Sequence, residues 1–414
     1  MIKEEIKVIP FSPPRIDQVI IDEVVDTLKS GWITTGPKTK KLESMLTDYV
    51  GHRKSLCVSS GSAGLELILR WYGVGEGDEV ILPAYTYAAT ANVVVHVGAK
   101  PVFVDVNIDF NIDVDQIRAK ITSRTKVIMP VDIGGFPADY DAINSLVKDK
   151  DIKSLFSPNT THQSNLGRIL VLSDAAHSLG AYYKGNRAGV LTDITVFSFH
   201  AVKNLTTSEG GAVCLNLPEI FDVDEIYKEL NLKSLHGQNK DALAKSQIGN
   251  WRYDIVEAGY KYNMTDIAAS MGLVELQRYD NDMLVKRKYI FDRYAEAFKK
   301  YSWAQIPTYE TDTKTSSYHV FMLRIRNVSE VMRDQIIKRI FERKVTVNVH
   351  FIPLPMMSFY SKIGYSIAEY PNAFSEYARE ISLPVYYDLT DEQIDRVIDA
   401  VVAAVEEVFS QKGR

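Results

Sequence analysis

Short apolar segments that alternate with helical segments constrain the fold of this chain more than any other feature. These segments are rich in Val, Ile and Phe and recur between residues 55 and 216 as SLCVSS, DEVILP, KPVFVDV, TKVIMPVD, ILVLSDAA, DITVFSF and GAVCLN. Most of them are separated by a helical or turn-bearing segment. Strands in this order form a mainly parallel central sheet flanked by helices, and ligands bind at the carboxyl ends of its strands. We therefore predict an α/β fold.

The sequence changes in character after Asn263, where a long helical stretch begins. It is followed by the strand-like segments SSYHVFMLRI and VTVNVHFIPL and by a closing helix. Because 414 residues exceed the size of one ordinary core, we predict two domains. A large α/β domain with an N-terminal helical segment covers residues 1–270, and a smaller C-terminal α+β domain covers residues 271–414. Residues 148–168 are polar and lack periodicity, which predicts a surface excursion.

The N-terminal segment IDQVIIDEVVDTLKSG carries an apolar residue at nearly every helical turn. The spacing predicts an amphipathic helix that ends with Gly31 as its C-cap. The apolar residues at this helical spacing are Ile16, Val19, Ile20, Val24, Val25 and Leu28.

Composition excludes several classes of protein. Apolar residues make up 46% and charged residues 24% of the chain, as in globular proteins, and no apolar run is long enough to cross a bilayer. The N-terminus shows no export signal, so we expect a cytoplasmic protein. The two cysteines lie in apolar contexts that favour reduced thiols, and no spacing predicts a metal site. A net charge of -5 without an arginine-rich stripe disfavours nucleic-acid binding.

Two glycine-rich segments differ in their order relative to strand and helix. YGVGEGDEVI carries Gly73, Gly75 and Gly77 after a helix and before a strand, the reverse of a dinucleotide-binding loop. VSSGSAGLELIL has the order strand, turn, helix, so the amides of Gly61, Ser62 and Ala63 and the Ser62 hydroxyl can face one anion. The same residues are also compatible with a simple helix cap.

Three further segments carry candidate catalytic side chains. Asp174 ends a predicted strand with His177 three residues later, and it is compatible with a cofactor contact or with a helix N-cap. Tyr87 follows another strand end, where its ring can cover a flat ligand or pack in the core. Lys203 follows Ser198 in TVFSFHAVKNLTTSEGGAV, although most lysines are solvated surface charges.

Together these features are the ones that pyridoxal phosphate requires. The cofactor needs a lysine amine for a covalent Schiff-base link, a carboxylate that keeps the pyridine nitrogen protonated, and amides and hydroxyls for its phosphate. An anion-binding turn, an aromatic cover, a strand-end aspartate and a lysine beside Ser198 occur in one α/β chain. We therefore predict a pyridoxal phosphate enzyme.

The sequence is similar to the sugar aminotransferases of the DegT/DnrJ/EryC1/StrS family, which belong to the fold-type I pyridoxal phosphate enzymes. The resemblance covers nearly the whole chain, and it is tighter with the branch that aminates a UDP-4-keto-pentose for lipid A modification. The motifs that carry it are SGWITTGPKTKKLE, SGSAGLEL, GDEVILPAYTYAATANVV, GAKPVFVDV, SDAAHSLGAYYKG, FSFHAVKNLTTSEGGAV, GYKYNMTDIAASMGLVEL and VNVHF.

The resemblance implies a role for each matching residue. Lys203 binds the cofactor covalently and later moves a proton; Asp174 pairs with the pyridine nitrogen, and His177 lies near the ring oxygen. Tyr87 occupies the position of the aromatic residue that stacks on the cofactor ring. The phosphate is bound by Ser62, Ala63 and Ser198, together with Gly61 from the anion turn. Family members are homodimers with shared active sites, which implies that Asn263, together with Lys261, reaches the site of the partner subunit. Thr34, Thr35 and His350 lie in segments that border the sugar nucleotide in relatives.

The expected reaction is transamination. L-Glutamate gives its amino group to the cofactor and leaves as 2-oxoglutarate, and pyridoxamine phosphate then aminates a nucleotide-linked ketosugar for polysaccharide or lipopolysaccharide biosynthesis. Two departures concern the sugar: Asp132 stands where relatives usually have histidine, and the excursion near residues 157–165 is longer than usual. The alternatives are a pyridoxamine-dependent sugar dehydratase, whose members carry histidine at the position of Lys203, and a catalytically idle cofactor-bound sensor or structural dimer.

Overall fold

A computed structural model describes residues 7–240 and 251–412 of the chain. Its centre is a seven-stranded sheet of β1 (Lys54–Val58), β2 (Glu79–Pro83), β3 (Lys100–Val104), β4 (Thr125–Ile128), β5 (Leu170–Asp174), β8 (Ile194–Ser198) and β9 (Gly211–Leu215). Their order in the sheet is β1-β9-β8-β5-β4-β2-β3. Strands β3, β2, β4, β5 and β8 run parallel, whereas β9 is antiparallel to both β8 and β1. The predicted α/β fold with a mainly parallel sheet is confirmed.

Helices cover both faces of this sheet. Strands such as β2 and β5 are buried along their whole length, which explains why their sequences are continuously apolar rather than alternating. The helices of this part are α1 (Gln18–Ser30), α2 (Pro37–Val50), α3 (Gly61–Trp71), α4 (Ala88–His96), α5 (Val114–Lys120), α6 (Tyr140–Lys148), α7 (Lys150–Leu155), α8 (Thr161–Leu166), α9 (Val223–Lys233) and α10 (Asp266–Arg278).

The C-terminal part has a sheet and a core of its own. Strands β10 (Ala304–Gln305), β12 (Phe321–Ile325) and β13 (Glu380–Leu383) form an antiparallel sheet in the order β10-β12-β13. Phe291, Phe321, Ile336 and Val401 belong to the apolar core beneath it. Its helices are α11 (Leu284–Phe298), α12 (Glu330–Glu342), α13 (Ser358–Lys362), α14 (Pro371–Tyr377) and α15 (Asp391–Lys412). The domain boundary at residue 270 stays a prediction.

Three short strands form a third sheet. They are β6 (Tyr182–Tyr183), β7 (Asn186–Arg187) and β11 (Lys314–Thr315), in the order β11-β6-β7. Because β11 comes from the C-terminal part, this sheet ties that part to the loop that follows Asp174.

Helix α1 forms as predicted, with Gly31 in the left-handed conformation at its C-cap. The apolar residues of this pattern differ in burial. Ile20 is buried, whereas Ile16, Val19 and Leu28 are about half exposed, at 50%, 58% and 53%. The apolar stripe of this helix is therefore largely uncovered within one chain.

The predicted excursion is more ordered than its composition indicates. It forms α7 and α8, and the side chain of Gln163 donates to the carbonyl of Tyr72 at 3.0 Å. Gln163, Ile152 and Phe156 are buried, so the segment packs onto the large sheet's helical layer.

Within residues 7–240 and 251–412, no helix combines the length and the apolar character that a bilayer span requires. The cytoplasmic location stays a prediction.

Candidate active site

A cavity of about 440 Å³ lies at the carboxyl ends of the parallel strands. The loops that follow β1, β2, β5 and β8 line one side, and segments of the C-terminal part line the other. Its lining includes Ser60, Gly61, Ser62, Thr86, Tyr87, Asp174, His177, Ser198, His200, Lys203, Glu209, His319, His350 and Phe351. The structure thus brings most of the predicted site residues into one place.

Lys203 lies in the loop between β8 and β9, within the cavity lining. Burial lowers the pKa of its amine from 10.5 to about 8, and the nearby carboxylate of Asp174 offsets part of that effect. A lysine with such a pKa is partly unprotonated near neutral pH and can act as a nucleophile or base. It is not a solvated surface charge.

Asp174 ends β5 and is 6% exposed. Its Oδ2 accepts a hydrogen bond from the Thr90 hydroxyl at 2.8 Å, and its Oδ1 accepts one from the amide of Ala176 at 3.3 Å. Burial raises the pKa of the carboxyl, while these two hydrogen bonds and Lys203 act in the opposite direction. Asp174 therefore supports the turn after β5 and also presents its carboxylate to the cavity, so the two interpretations of this residue are compatible.

The first turn of α3 follows β1 directly, in the predicted order of strand, turn and helix. Ser60 is the N-cap, and its hydroxyl oxygen accepts a hydrogen bond from the amide of Ala63 at 3.0 Å. The amide of Ala63 is therefore not free, contrary to our expectation. Gly61 and Ser62 line the cavity, and amides in the first turn of a helix have no acceptor within that helix.

Gly211 determines how closely β9 approaches this turn. A Cβ atom on Gly211 would lie 2.7 Å from the amide nitrogen of Gly61 and 2.7 Å from the carbonyl carbon of Ser60. A side chain at this position would push the strand and the turn apart. Ser198 approaches from the other side, with its Cβ 3.1 Å from the position of a Cβ on Gly61.

His177 is buried and its Nδ1 has no hydrogen-bond partner within the part of the chain that the structure describes. Its ring lies 4.3 Å from that of His319 and 5.8 Å from that of Phe351. Burial, with Lys203 and His350, holds the pKa of His177 well below its ordinary value, so the imidazole is neutral. An unpaired polar atom at a cavity wall is available to a ligand.

Tyr87 projects at the mouth of the cavity, where it is 64% exposed. Its ring lies 5.8 Å from that of Phe351. The alternative of core packing is excluded for Tyr87, although the neighbouring Tyr85 is fully buried. The ring is free to cover a flat ligand.

His200 also lines the cavity and is exposed, with its Nε2 3.6 Å from Oε1 of Glu209. Glu209 lines the same cavity, so an imidazole and a carboxylate lie together at its wall.

The sequence did not reveal Thr90 or His319. Thr90 lies in α4, 84 residues before Asp174 in the chain, and only the packing of α4 against the sheet joins them. His319 lines the cavity, and its Nδ1 lies 2.7 Å from Oδ1 of Asn204, whose Nδ2 donates to the carbonyl of Ser317 at 2.7 Å. A single histidine in SSYHVF carries no spacing signal that could have identified it.

Thr34, Thr35 and Asn263 lie outside the lining of this cavity. Asn263 donates to Oγ1 of Thr35 at 2.6 Å, and the carbonyl of Thr34 accepts a hydrogen bond from the amide of Asp266 at 3.1 Å. The segments WITTGP and GYKYNMTD are therefore neighbours in the fold. The assignment of these residues to a substrate or a partner site stays a prediction.

Lys261 lies in an adjoining open groove of about 450 Å³. The groove shares Ser60, Ser62 and Tyr87 with the cavity, so the two form a continuous surface.

Asp132 is buried beneath the site rather than in its lining. It accepts hydrogen bonds from the hydroxyls of Ser178 and Tyr140 at 2.6 and 2.7 Å and from the amide of Ala138 at 2.9 Å. These contacts hold the loop after β4 against the segment that contains His177.

The residues of the cavity fit pyridoxal phosphate. The turn at Gly61 and Ser62 suits a phosphate, and Asp174 suits a protonated ring nitrogen. The unpaired Nδ1 of His177 suits the other polar edge of the cofactor ring, and Lys203 suits the aldehyde carbon. By contrast, residues 7–240 and 251–412 contain no group of three or more His, Cys, Asp or Glu side chains suited to a metal ion.

Comparison with known proteins agrees with this interpretation. The model of the DegT/DnrJ/EryC1/StrS aminotransferase family matches residues 14–157 and 159–402. An uncharacterized protein of Methanocaldococcus jannaschii is 40% identical over 98% of this chain and 100% of its own length. The spore coat polysaccharide biosynthesis protein SpsC of Bacillus subtilis is 36% identical over 97% of this chain and 98% of its own.

Two solved structures are also similar to this chain over nearly its whole length. The pyridoxamine phosphate form of the putative sugar aminotransferase Spr1654 from Streptococcus pneumoniae has a TM-score of 0.93 and 46% identity over 97% of this chain and 100% of its own. PseC of Helicobacter pylori, an aminotransferase involved in the biosynthesis of pseudoaminic acid, has a TM-score of 0.85 and 25% identity over 97% of this chain and 100% of its own.

Proposed function

This chain belongs to the DegT/DnrJ/EryC1/StrS aminotransferase family and is a pyridoxal phosphate-dependent aminotransferase, and on that premise we propose that it transfers the amino group of L-glutamate to a nucleotide-linked ketosugar. The observation that supports the chemistry most directly is the placement of Lys203 and Asp174 in one cavity with a free anion-binding turn. Glutamate as the donor is proposed from the resemblance of the motifs to those of the family.

Each residue then has a task that its surroundings support. The bound cofactor supplies an electron sink for the negative charge that develops at the amine-bearing carbon. Lys203 accepts a proton at Nζ from that carbon and returns it, which its lowered pKa allows near neutral pH. Asp174 keeps the ring nitrogen protonated, the amides of Gly61 and Ser62 hold the phosphate, and Tyr87 covers the ring.

A sugar that carries a nucleotide suits the shape of the site. The cavity opens beside Tyr87 into the adjoining groove, which gives an extended substrate room beyond the reacting carbon. The names of two relatives, a spore coat polysaccharide protein and an aminotransferase for pseudoaminic acid, are consistent with aminosugar biosynthesis. We propose a homodimer, since Asn263 and Lys261 lie outside the lining of their own chain's cavity.

Replacement of Lys203 tests the chemistry. Lys203→Ala removes the nucleophile and the base, so we expect turnover to fall on the order of 10³-fold or more. The absorbance of the lysine-bound cofactor should disappear as well. Lys184→Ala is the matched control, because Lys184 is an exposed lysine outside the cavity lining. Full activity of Lys203→Ala would refute the assignment.

A spectroscopic experiment separates the alternatives. Glutamate added to the purified protein should convert the lysine-bound cofactor to pyridoxamine phosphate and release 2-oxoglutarate, and a panel of UDP-, dTDP- and GDP-ketosugars should restore the original spectrum. No change with glutamate would favour a catalytically idle protein. Loss of the sugar's oxygen without amination would favour the dehydratase.

A further inference from the structure

The ring of His350 is held by contacts on two sides. It lines the cavity that contains Lys203, and its Nδ1 lies 2.9 Å from the hydroxyl oxygen of Ser382. The ring of Phe11 stacks on it, with centroids 5.4 Å apart and planes 20° apart. Because Nδ1 is engaged by Ser382, Nε2 is the nitrogen that His350 can offer to a ligand.

A buried carboxyl group lies behind Ser382. Oε1 of Glu380 is 2.5 Å from the Ser382 hydroxyl, and Oε2 accepts a hydrogen bond from the backbone amide of His350 at 3.0 Å. Glu380 and Ser382 are both fully buried in β13. The amide of Asn348 pairs with the carbonyl of Ser382 at 3.1 Å, which fixes the His350 segment beside the strand. Glu380, Ser382 and His350 therefore form a continuous hydrogen-bonded chain from the core to the cavity.

The charged groups around Glu380 do not neutralise it. Arg324 lies opposite on β12 but pairs with Glu376 at 2.5 Å, and Arg333 of α12 pairs with Asp334 at 2.7 Å. Among the described residues Glu380 has no ion pair. A buried carboxyl group without a counter-ion favours its neutral form. Consistently, burial raises the pKa of Glu380 to about 8, although Arg333 and Arg324 act in the opposite direction.

We propose that Glu380 and Ser382 are positioning residues that determine which ring nitrogen of His350 carries its proton. With Glu380 protonated, its Oε1–H donates to Ser382, Ser382 donates to Nδ1, and Nε2–H of His350 donates to an oxygen of the amino-accepting sugar. Loss of one proton reverses the direction of each hydrogen bond in the chain. Ser382 then donates to the Glu380 carboxylate, Nδ1–H of His350 donates to Ser382, and Nε2 becomes an acceptor. The proton count balances because the proton lost to solvent is the one on Nε2. The identity of the ligand oxygen rests on the proposed function.

The other titratable groups at His350 affect its charge rather than its tautomer. Lys203, His177 and His319 face the same cavity, and the hydroxyl of Tyr85 donates to the backbone carbonyl of His350. Burial and Lys203 lower the pKa of His350 to about 4, so its imidazole is neutral above pH 6. Its tautomer is then free to follow Glu380.

Nitrogen NMR of the histidine-labelled protein with its cofactor bound tests the proposal without any sugar. The chain has 8 histidines, and the His350 signals are identified by their loss in His350→Asn. We expect Nε2 to be protonated at pH 6.5 and Nδ1 to be protonated at pH 9.5, with the change centred at about pH 8. One tautomer throughout this range would overturn the proposal.

Glu380→Gln is the matched control, since its amide mimics the protonated acid. The amide NH₂ donates to Ser382 and its carbonyl accepts from the His350 amide, so the low-pH tautomer should persist to pH 9.5. Lys203 titrates in the same range in the cofactor-free protein, and any change that Lys203 causes will persist in Glu380→Gln. A complete tautomer change in Glu380→Gln would therefore refute the role of Glu380.

Kinetics test the consequence for catalysis. Ser382→Ala interrupts the chain, and we expect kcat/KM for the sugar to fall about tenfold, with the glutamate half-reaction altered less than about twofold. Ser382→Thr keeps a hydroxyl and should restore most of the loss. Equal loss in both half-reactions would refute a contact with the sugar. If every ketosugar in the panel fails, the proposed function is rejected, while the NMR result still decides whether the chain of hydrogen bonds exists.

Discussion

The reactivity of Lys203 depends on two opposing influences at its amine. Burial disfavours the ammonium form, whereas the carboxylate of Asp174 favours it, and the first influence is the larger. Asp174 is itself held by the hydroxyl of Thr90, which in turn lies 2.8 Å from the hydroxyl of Thr86. The charge at the site is thus set by side chains from the loop after β2, from α4 and from the end of β5, which only the folded chain brings together.

This balance predicts a pH dependence. The pKa of Lys203 is lowered to about 8, so the free amine forms as the pH rises through 8. The rate at which cofactor-free protein takes up pyridoxal phosphate should rise about tenfold per pH unit below 8 and level off above it, whereas an unperturbed lysine would level off near 10.4. In Asp174→Asn the carboxylate is absent, so the midpoint should move to lower pH. Stopped-flow absorbance measures the rate, and a wild-type midpoint near 10 would contradict the prediction.

At the level of single residues, the sequence predicts the groups that react and misses most of those that support them. Lys203, Asp174, Tyr87 and Ser62 are recognisable because each lies at or shortly after a strand end. Thr90 contacts Asp174, and Ser382 and Glu380 contact His350, across segments that are far apart in the chain, so no local spacing marks them.

Helices α2 and α10 are joined at their N-termini by one carboxylate. Asp266, at the start of α10, is buried, and it accepts hydrogen bonds from the amides of Gly36, Lys38 and Thr39 at 2.8, 3.0 and 2.9 Å. It also accepts one from the Thr39 hydroxyl at 2.7 Å. These amides belong to the first turn of α2, where a negative charge is favourable. One side chain thus fixes the WITTGP segment against the GYKYNMTD segment.

Asp266→Ala should therefore destabilise the fold. The loss of a charged acceptor leaves the buried amides of α2 without partners, which should lower the free energy of unfolding by about 2–4 kcal/mol. Urea unfolding measures the difference. Asp26→Ala is the control, because Asp26 is an exposed carboxylate that pairs with Lys38, and its removal should leave the midpoint nearly unchanged. Equal midpoints for the two variants would contradict the role of Asp266.

Elements differ in how well the sequence predicts them. The strands of the large sheet are recognisable because they are buried on both faces and continuously apolar. The sequence of residues 150–166 shows no helical pattern because α7 and α8 are short. Their few buried residues are too far apart to produce the helical period of apolar residues. For α1 the helical period of the apolar residues is correct. That period indicates an apolar stripe, but it does not indicate which surface covers the stripe.

The whole molecule presents apolar surface that a single chain does not cover. Val19 and Leu28 of α1 are more than half exposed, as are Trp251 and Val256, at 70% and 55%. Several exposed large apolar side chains on one helix, as on α1, are typical of protein interfaces. This surface is in keeping with the homodimer that we propose, in which each cavity is completed by Asn263 and Lys261 of the partner subunit.

Mixing two inactive variants tests whether the active site is shared. If Asn263 and Lys261 act in the partner's cavity, heterodimers of Lys203→Ala with the double variant Lys261→Ala, Asn263→Ala regain one intact site. Random exchange of subunits by unfolding and refolding should then restore about a quarter of the wild-type activity. Lys203→Ala mixed with Asp174→Asn is the control: both residues lie in one chain's cavity, so every heterodimer site lacks one of them. Native mass spectrometry verifies that heterodimers form, and their formation without regained activity in the first mixture would show that each chain completes its own site.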